Sequence, residues 1–204
     1  MSLAVFTALF SFAFVASVTP GPNNLMVMAS GTNFGFRRTM PHMLGIVGGV
    51  CIMAFLVGAG LMALLDRVPA LSLVLKVASV VYLLWLAFKI ATATPSNGRV
   101  TASTPLTFLQ AAAFQWVNPK AWAMCLSAIT LYAPDRSFLS VAIVAGAFAL
   151  VSFPSISVWA WLGVAIRQWL SSGPRLRAFN LGMALLLILS LYPVLATALP
   201  AQSL

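Results

Sequence analysis

Hydrophobic residues fill this chain in long blocks, with charges placed singly or in pairs between them. Met1 to Phe36 is uncharged, Thr39 to Leu65 is interrupted only by His42, and Val68 to Phe88 holds only Lys76. Lys120 alone separates Val100–Pro119 from Ala121–Pro134, and both Ser137–Ile166 and Ala178–Leu204 are uncharged. A helix crossing a bilayer needs about 20 mostly apolar residues. The pattern therefore predicts six membrane helices, at about residues 3–33, 40–64, 69–90, 105–132, 138–166 and 176–198. The expected fold is an all-α membrane protein, a single integral membrane domain over residues 1–204.

Two of these spans contain helix breakers near their middles. The first holds Thr19-Pro20-Gly21-Pro22-Asn23-Asn24 and the fourth holds Asn118-Pro119-Lys120. Proline removes a backbone donor and clashes with the preceding turn, and glycine loosens the chain. Asn caps a helix well and Pro suits its first turn, so Asn118 is expected to start a half-helix at Pro119. Thr19 or Gly21 would likewise cap one that begins near Pro20 or Pro22. Freed backbone groups are tolerated at membrane depth only inside protein or beside a wet cavity. Half-helix N-termini carry unpaired N–H groups and partial positive charge, which suits a carboxylate. Pro20 and Pro119 lie 99 positions apart in 204 residues. Two three-helix repeats, about 1–92 and 104–204, with matched interruptions are the pattern of an inverted-repeat transporter. A single proline would be read as a packing kink; the paired motifs favour a binding site.

Composition narrows the class. The chain is 62% hydrophobic and 6% charged, with mean hydropathy +1.04. That excludes a soluble domain, which carries about 25% charged residues. Lys and Arg number 11 against 2 acids and 1 His. The +9 net charge is too scattered for a nucleic-acid face. Arg37, Arg38, Lys89, Arg99, Arg167, Arg175 and Arg177 fall in the first, third and fifth loops, against Arg67 and Arg136 in the second and fourth. Basic loops stay cytoplasmic, so both termini are expected outside. The first block lacks a basic start and is too long for a cleaved signal.

Lys120 lies about 14 residues into its span, about 21 Å deep, beyond easy snorkelling. It would bind a carboxylate or hold the broken backbone of the first helix. Lys76 is shallow enough to snorkel. His42, beside Pro41, is expected at the cytoplasmic interface, with a gating or proton-relay role left open. No carboxylate lies within a span, so none can relay protons there or neutralise a cationic substrate. Cys51 and Cys125 lack a C-x-x-C and read as packing residues. Gly45 and Gly49 form a G-x-x-x-G, a close helix contact. Ser152 and Ser155 flank Pro154 and either line the pathway or satisfy the kink. No metal or cofactor site is expected.

The ordered motifs resemble the LysE/RhtB amino-acid exporter family. They are Thr19–Asn24 followed by Gly35-Phe36-Arg37, Tyr82–Lys89, Asn118-Pro119-Lys120, and Phe179-Asn180 before an apolar run. The details look closest to its cysteine/O-acetylserine branch. Ala78–Val81 departs from the Gly-containing run that the family usually has before the Tyr. The resemblance implies an exporter of small amino acids and related metabolites in the bacterial inner membrane. It places function on Pro20-Gly21-Pro22-Asn23 and Asn118-Pro119-Lys120. The expected activity is alternating-access export of a neutral amino acid. Lys120 and the half-helix tips would take its carboxylate; Asn23, Asn24 and Asn118 would take its ammonium. Proton coupling and a homodimer are left open. An intramembrane enzyme or an assembly subunit are the alternatives. The first lacks a catalytic cluster, and the second needs no matched breaks.

Overall fold

The computed structural model describes residues 2–61, 67–92 and 104–191. They form α1 (Leu3–Val18), α2 (Pro22–Phe34), α3 (Phe36–Gly58), α4 (Pro69–Ala91), α5 (Phe108–Phe114), α6 (Pro119–Tyr132), α7 (Phe138–Ile166) and α8 (Gly173–Leu189). Tight 3-10 turns cover Gln115–Val117 and Trp169–Ser171, and no strand occurs among the described residues.

Local chemistry explains the boundaries. Proline sits at the start of α2, α4, α6 and α8, where its missing N–H is not needed. Ser2, Thr107, Asn118 and Ser137 cap α1, α5, α6 and α7 with their side-chain oxygens. The first predicted span divides into α1 and α2, whose axes differ by 54°. Thr19, preceding Pro20, has ψ 131°, away from helical values. Gly21, rather than Thr19, is the cap of α2. The second span starts at Phe36, earlier than predicted, because Gly35 turns the chain at φ +83° and lets α3 begin at once. It ends at Gly58, where Gly60 (φ +97°) closes a turn. The sixth begins at Gly173 on Pro174, slightly before its predicted start. Residues 62–64 and 192–198 of the predicted spans, Asp66, Arg99 and the Lys76 side chain lie outside the described residues.

Among the described residues, Phe36–Gly58, Leu73–Ala91 and Phe138–Ile166 are long and apolar enough to cross a membrane, and the bent pair of α1 and α2 makes a fourth candidate. The surface of the helices is apolar: Leu73, Val77, Val81 and Phe88 form an outward stripe on α4, each more than half exposed. Polar side chains point inward instead, among them Ser17, Asn24, Thr39, His42, Gln115, Asn118 and Asn180. This inversion suits a hydrocarbon solvent and makes the chain a multi-pass membrane protein.

The long α7 packs against α1, α2 and α3, and α3 also against α5 and α6; α4 and α8 pair with each other. Glycines set the closest crossings. A Cβ on Gly31 would collide with the Ala160 carbonyl, and one on Gly163 with that of Met28. The Thr32 hydroxyl donates to Gly163 O across the same crossing (2.9 Å). The G-x-x-x-G expectation holds: a Cβ on Gly45 would meet the Phe108 carbonyl, and one on Gly49 would lie 2.8 Å from Ala112 Cα. Trp161 and Trp169 are exposed near the end of α7, with Arg175 over the Trp169 ring at 5.4 Å.

Candidate functional site

The interruption at residues 19–21 and the one at residue 118 come together. Lys120 Nζ donates to the carbonyl of Thr19, the residue that caps the end of the broken α1. Its stem lies over Gly21, where a Cβ would stand 2.7 Å from Lys120 Cδ. Gly21 is extended (φ −171°), so what requires glycine here is space for the lysine rather than backbone conformation.

The asparagines have separate tasks. Asn118 Oδ1 accepts from Lys120 N (3.1 Å), which fixes the start of α6. Asn24 Nδ2 donates to Ser17 O (2.9 Å) and Thr19 O (3.0 Å), so it satisfies carbonyls that the helix break leaves free. Asn23 forms a reciprocal amide pair with Gln115: Asn23 Nδ2 donates to Gln115 Oε1 (2.9 Å) and Gln115 Nε2 donates to Asn23 Oδ1 (3.1 Å). Gln115 also donates to Ala111 O (2.9 Å). Pro20 shapes the break, and Pro22 and Pro119 open the two half-helices.

Gln115 went unrecognised in the sequence, although it is fully buried and links the two motifs. Its signal was an amide one helical turn before Asn118 in an uncharged span. Leucine at position 115 would take the reciprocal partner from Asn23 and the acceptor from the buried Asn118 amide. We expect Gln115→Leu to lose about 1–3 kcal/mol of stability, read as a lower thermal midpoint in detergent. Ser17 and Ser152 are a second pair that bridges α1 and α7, with hydroxyls 2.9 Å apart. Ser155 Oγ, on the other side of Pro154, has no partner among the described residues.

These groups surround a hollow that opens from the middle of the bundle. Ser17, Asn23, Asn24, Asn118, Lys120 and Ser152 bring polar groups to its lining, and Ile46, Val50, Met124 and Ile156 bring apolar ones. Nothing caps α2: Gly21 has no side chain, so the N–H groups of its first turn lack a capping oxygen. The tip of α6 is capped by Asn118. An unfilled donor cluster, a cation and acceptor oxygens thus share one hollow.

His42 is 1% exposed and stands beside Pro41 within α3. It does not line the central cavity. Cys51 and Cys125 are free thiols turned to the carbonyls of Ala145 and Val50. Among the described residues no three His, Cys, Asp or Glu gather as a metal set would.

The cysteine/O-acetylserine efflux proteins of Escherichia coli (strain K12) and Shigella sonnei (strain Ss046) are each 28% identical to this chain over 190 residues, covering 92% of it and 96% of the relative. No solved structure matches the chain. The family model for LysE type translocators matches residues 14–191, a stretch that includes both broken-helix motifs and the whole central cavity. The chain therefore belongs to the LysE-type translocators, a family of transporters rather than enzymes.

Proposed function

We propose that this protein exports a small neutral amino acid or related metabolite, of the cysteine/O-acetylserine or homoserine/threonine kind, across the bacterial inner membrane. The observation that carries this reading is the link between Lys120 and the Thr19 carbonyl at the edge of a polar cavity. A zwitterion supplies a partner for each half of that link. Its carboxylate takes the Lys120 ammonium and the uncapped N–H groups at the start of α2. Its ammonium takes the Thr19 carbonyl and the hydroxyls of Ser17 and Ser152. A purely anionic or cationic solute satisfies only one half. The names of the relatives point to the same substrate class.

The architecture supports a reading of alternating access. The chain reads as two inverted repeats, 1–92 and 104–204, each with a broken first span. Supporting this, α1 packs on α7 as α5 packs on α3, and α4 pairs with its counterpart α8. Substrate that breaks the Lys120–Thr19 link frees the two repeats to rock about the central cavity. Arg167 Nη1 would lie 3.8 Å from a Cβ on Gly35, and Phe34 and Lys89 border one cavity. The basic residues of the first, third and fifth connections thus gather at one end, which supports a cytoplasmic placement of that end and external termini.

Overexpression in cells challenged with toxic levels of each amino acid tests the function. Tolerance to one or a few neutral amino acids, with accelerated efflux of the labelled compound from loaded vesicles, is expected. Failure to move any amino acid in either assay overturns it. Asn118→Ala should lower efflux at least tenfold with the protein still in the membrane, since uncapping α6 costs about 1 kcal/mol of helix stability and also frees the backbone that holds Lys120.

A further inference from the structure

A second hollow lies at the other end of α2. Asn23 and Asn24 border the central cavity, whereas Ser30 and Asn33 border this one. Six to ten residues of helix separate them, about 9–15 Å. His42 of α3 and Lys89 at the end of α4 complete its polar wall, at the basic end of the bundle.

His42 is the unexplained group. Its ring is buried, and neither nitrogen has a hydrogen-bond partner among the described residues. Such orphans are rare. The Ser30 hydroxyl of this wall is occupied: it pairs with Thr39 Oγ1 (2.9 Å), which itself donates to Gly35 O (2.9 Å). Asn33 Nδ2 donates to Ala29 O (2.7 Å), and its amide oxygen has no partner among the described residues. Lys89 rests its ammonium over the Trp85 ring at 4.7 Å. The acid among the described residues, Asp135, instead accepts from Ser140 (2.6 Å).

We infer that this cavity is a loading site, where a zwitterionic amino acid docks before it reaches the central cavity. Lys89 takes the carboxylate, and a lone pair of the neutral His42 ring together with the Asn33 amide oxygen takes the ammonium. The ring's N–H is free for a polar substituent of the substrate. A cation alone would meet Lys89, and an anion alone would leave the two acceptors empty. The inference rests on amino-acid export as the activity.

Inverted membrane vesicles, whose outer face is cytoplasmic, test it with labelled L-cysteine under reducing conditions. His42→Leu and Lys89→Gln should each raise KM at that face at least tenfold while maximal rate stays within twofold. KM measured from the opposite face, in right-side-out vesicles, should not move. Lys89 is at an exposed helix end, so its variant keeps the test alive if His42→Leu does not fold. Unchanged KM in both variants, or an equal rise from both faces, overturns the loading site and leaves export standing. No transport of L-cysteine or any other amino acid by the parent protein overturns both.

Discussion

Lys120→Met is expected to stop export without unfolding the protein. The methionine keeps the stem that covers Gly21 and removes only the ammonium that bonds the Thr19 carbonyl. That carbonyl still accepts from Asn24 Nδ2 at 3.0 Å, and Asn24 also holds Ser17 O. The broken end of α1 therefore stays satisfied, and the fold has little to lose. Binding has much to lose. A hydrogen bond to a charged group contributes about 1.5–3 kcal/mol, which is about 10- to 100-fold in affinity for the carboxylate. Loss of the link also removes the contact that substrate must exchange, so maximal rate should fall with affinity. Efflux of labelled amino acid from proteoliposomes, with the protein's elution profile as the folding control, measures both. Wild-type efflux by a well-folded Lys120→Met protein would remove Lys120 from the mechanism.

Gly163→Val should be the most destabilising single change in the bundle. The added side chain would run into the Met28 carbonyl oxygen, with Met28 C and Thr32 N each only 3.0 Å from its Cβ. These are backbone atoms of α2 and cannot rotate away. Relief requires α2 to move off α7, which breaks the Thr32–Gly163 hydrogen bond and lifts Gly31 from Ala160. Overpacking of this kind costs about 1–3 kcal/mol, sometimes more. Because α2 also carries Asn23 and Asn24, export should fall in step with stability. Gly146→Ala on the same helix is the control. A Cβ there meets nothing within 4 Å, and alanine is the better helix former by about 0.5–1 kcal/mol. Thermal unfolding in detergent should show a lower midpoint for Gly163→Val and none for Gly146→Ala. Equal midpoints would show that the crossing yields.

Much of the fold was legible because membrane helices announce themselves locally. The third and fifth spans, α4 and α7, begin and end within a residue of their predicted limits. Each is a continuous apolar run bounded by proline, serine or charge, signals that act on the residues next to them. The break at Asn118-Pro119 was equally readable, since capping and the missing proline N–H are properties of adjacent residues. The start of α3 was misjudged because Arg37 and Arg38 look like a loop. A glycine at positive φ lets the helix begin one residue after the turn, and the arginines lie on its exposed first turns.

The sequence alone determined that the chain is an α-helical membrane protein and that helices end or begin at Thr19–Gly21 and at Asn118. Hydrophobic run length and proline chemistry suffice for that, because both act within a few residues. The tertiary structure alone decided which polar groups face one another. Only the packing of α2 against α7, and of α5 against α3, sets Asn23 on Gln115, Lys120 on Thr19 and Ser17 on Ser152, and turns His42 into a second cavity. Those pairings join residues 92 to 135 positions apart, and their geometry depends on how closely glycine lets two backbones approach, a quantity that no local pattern of residues encodes.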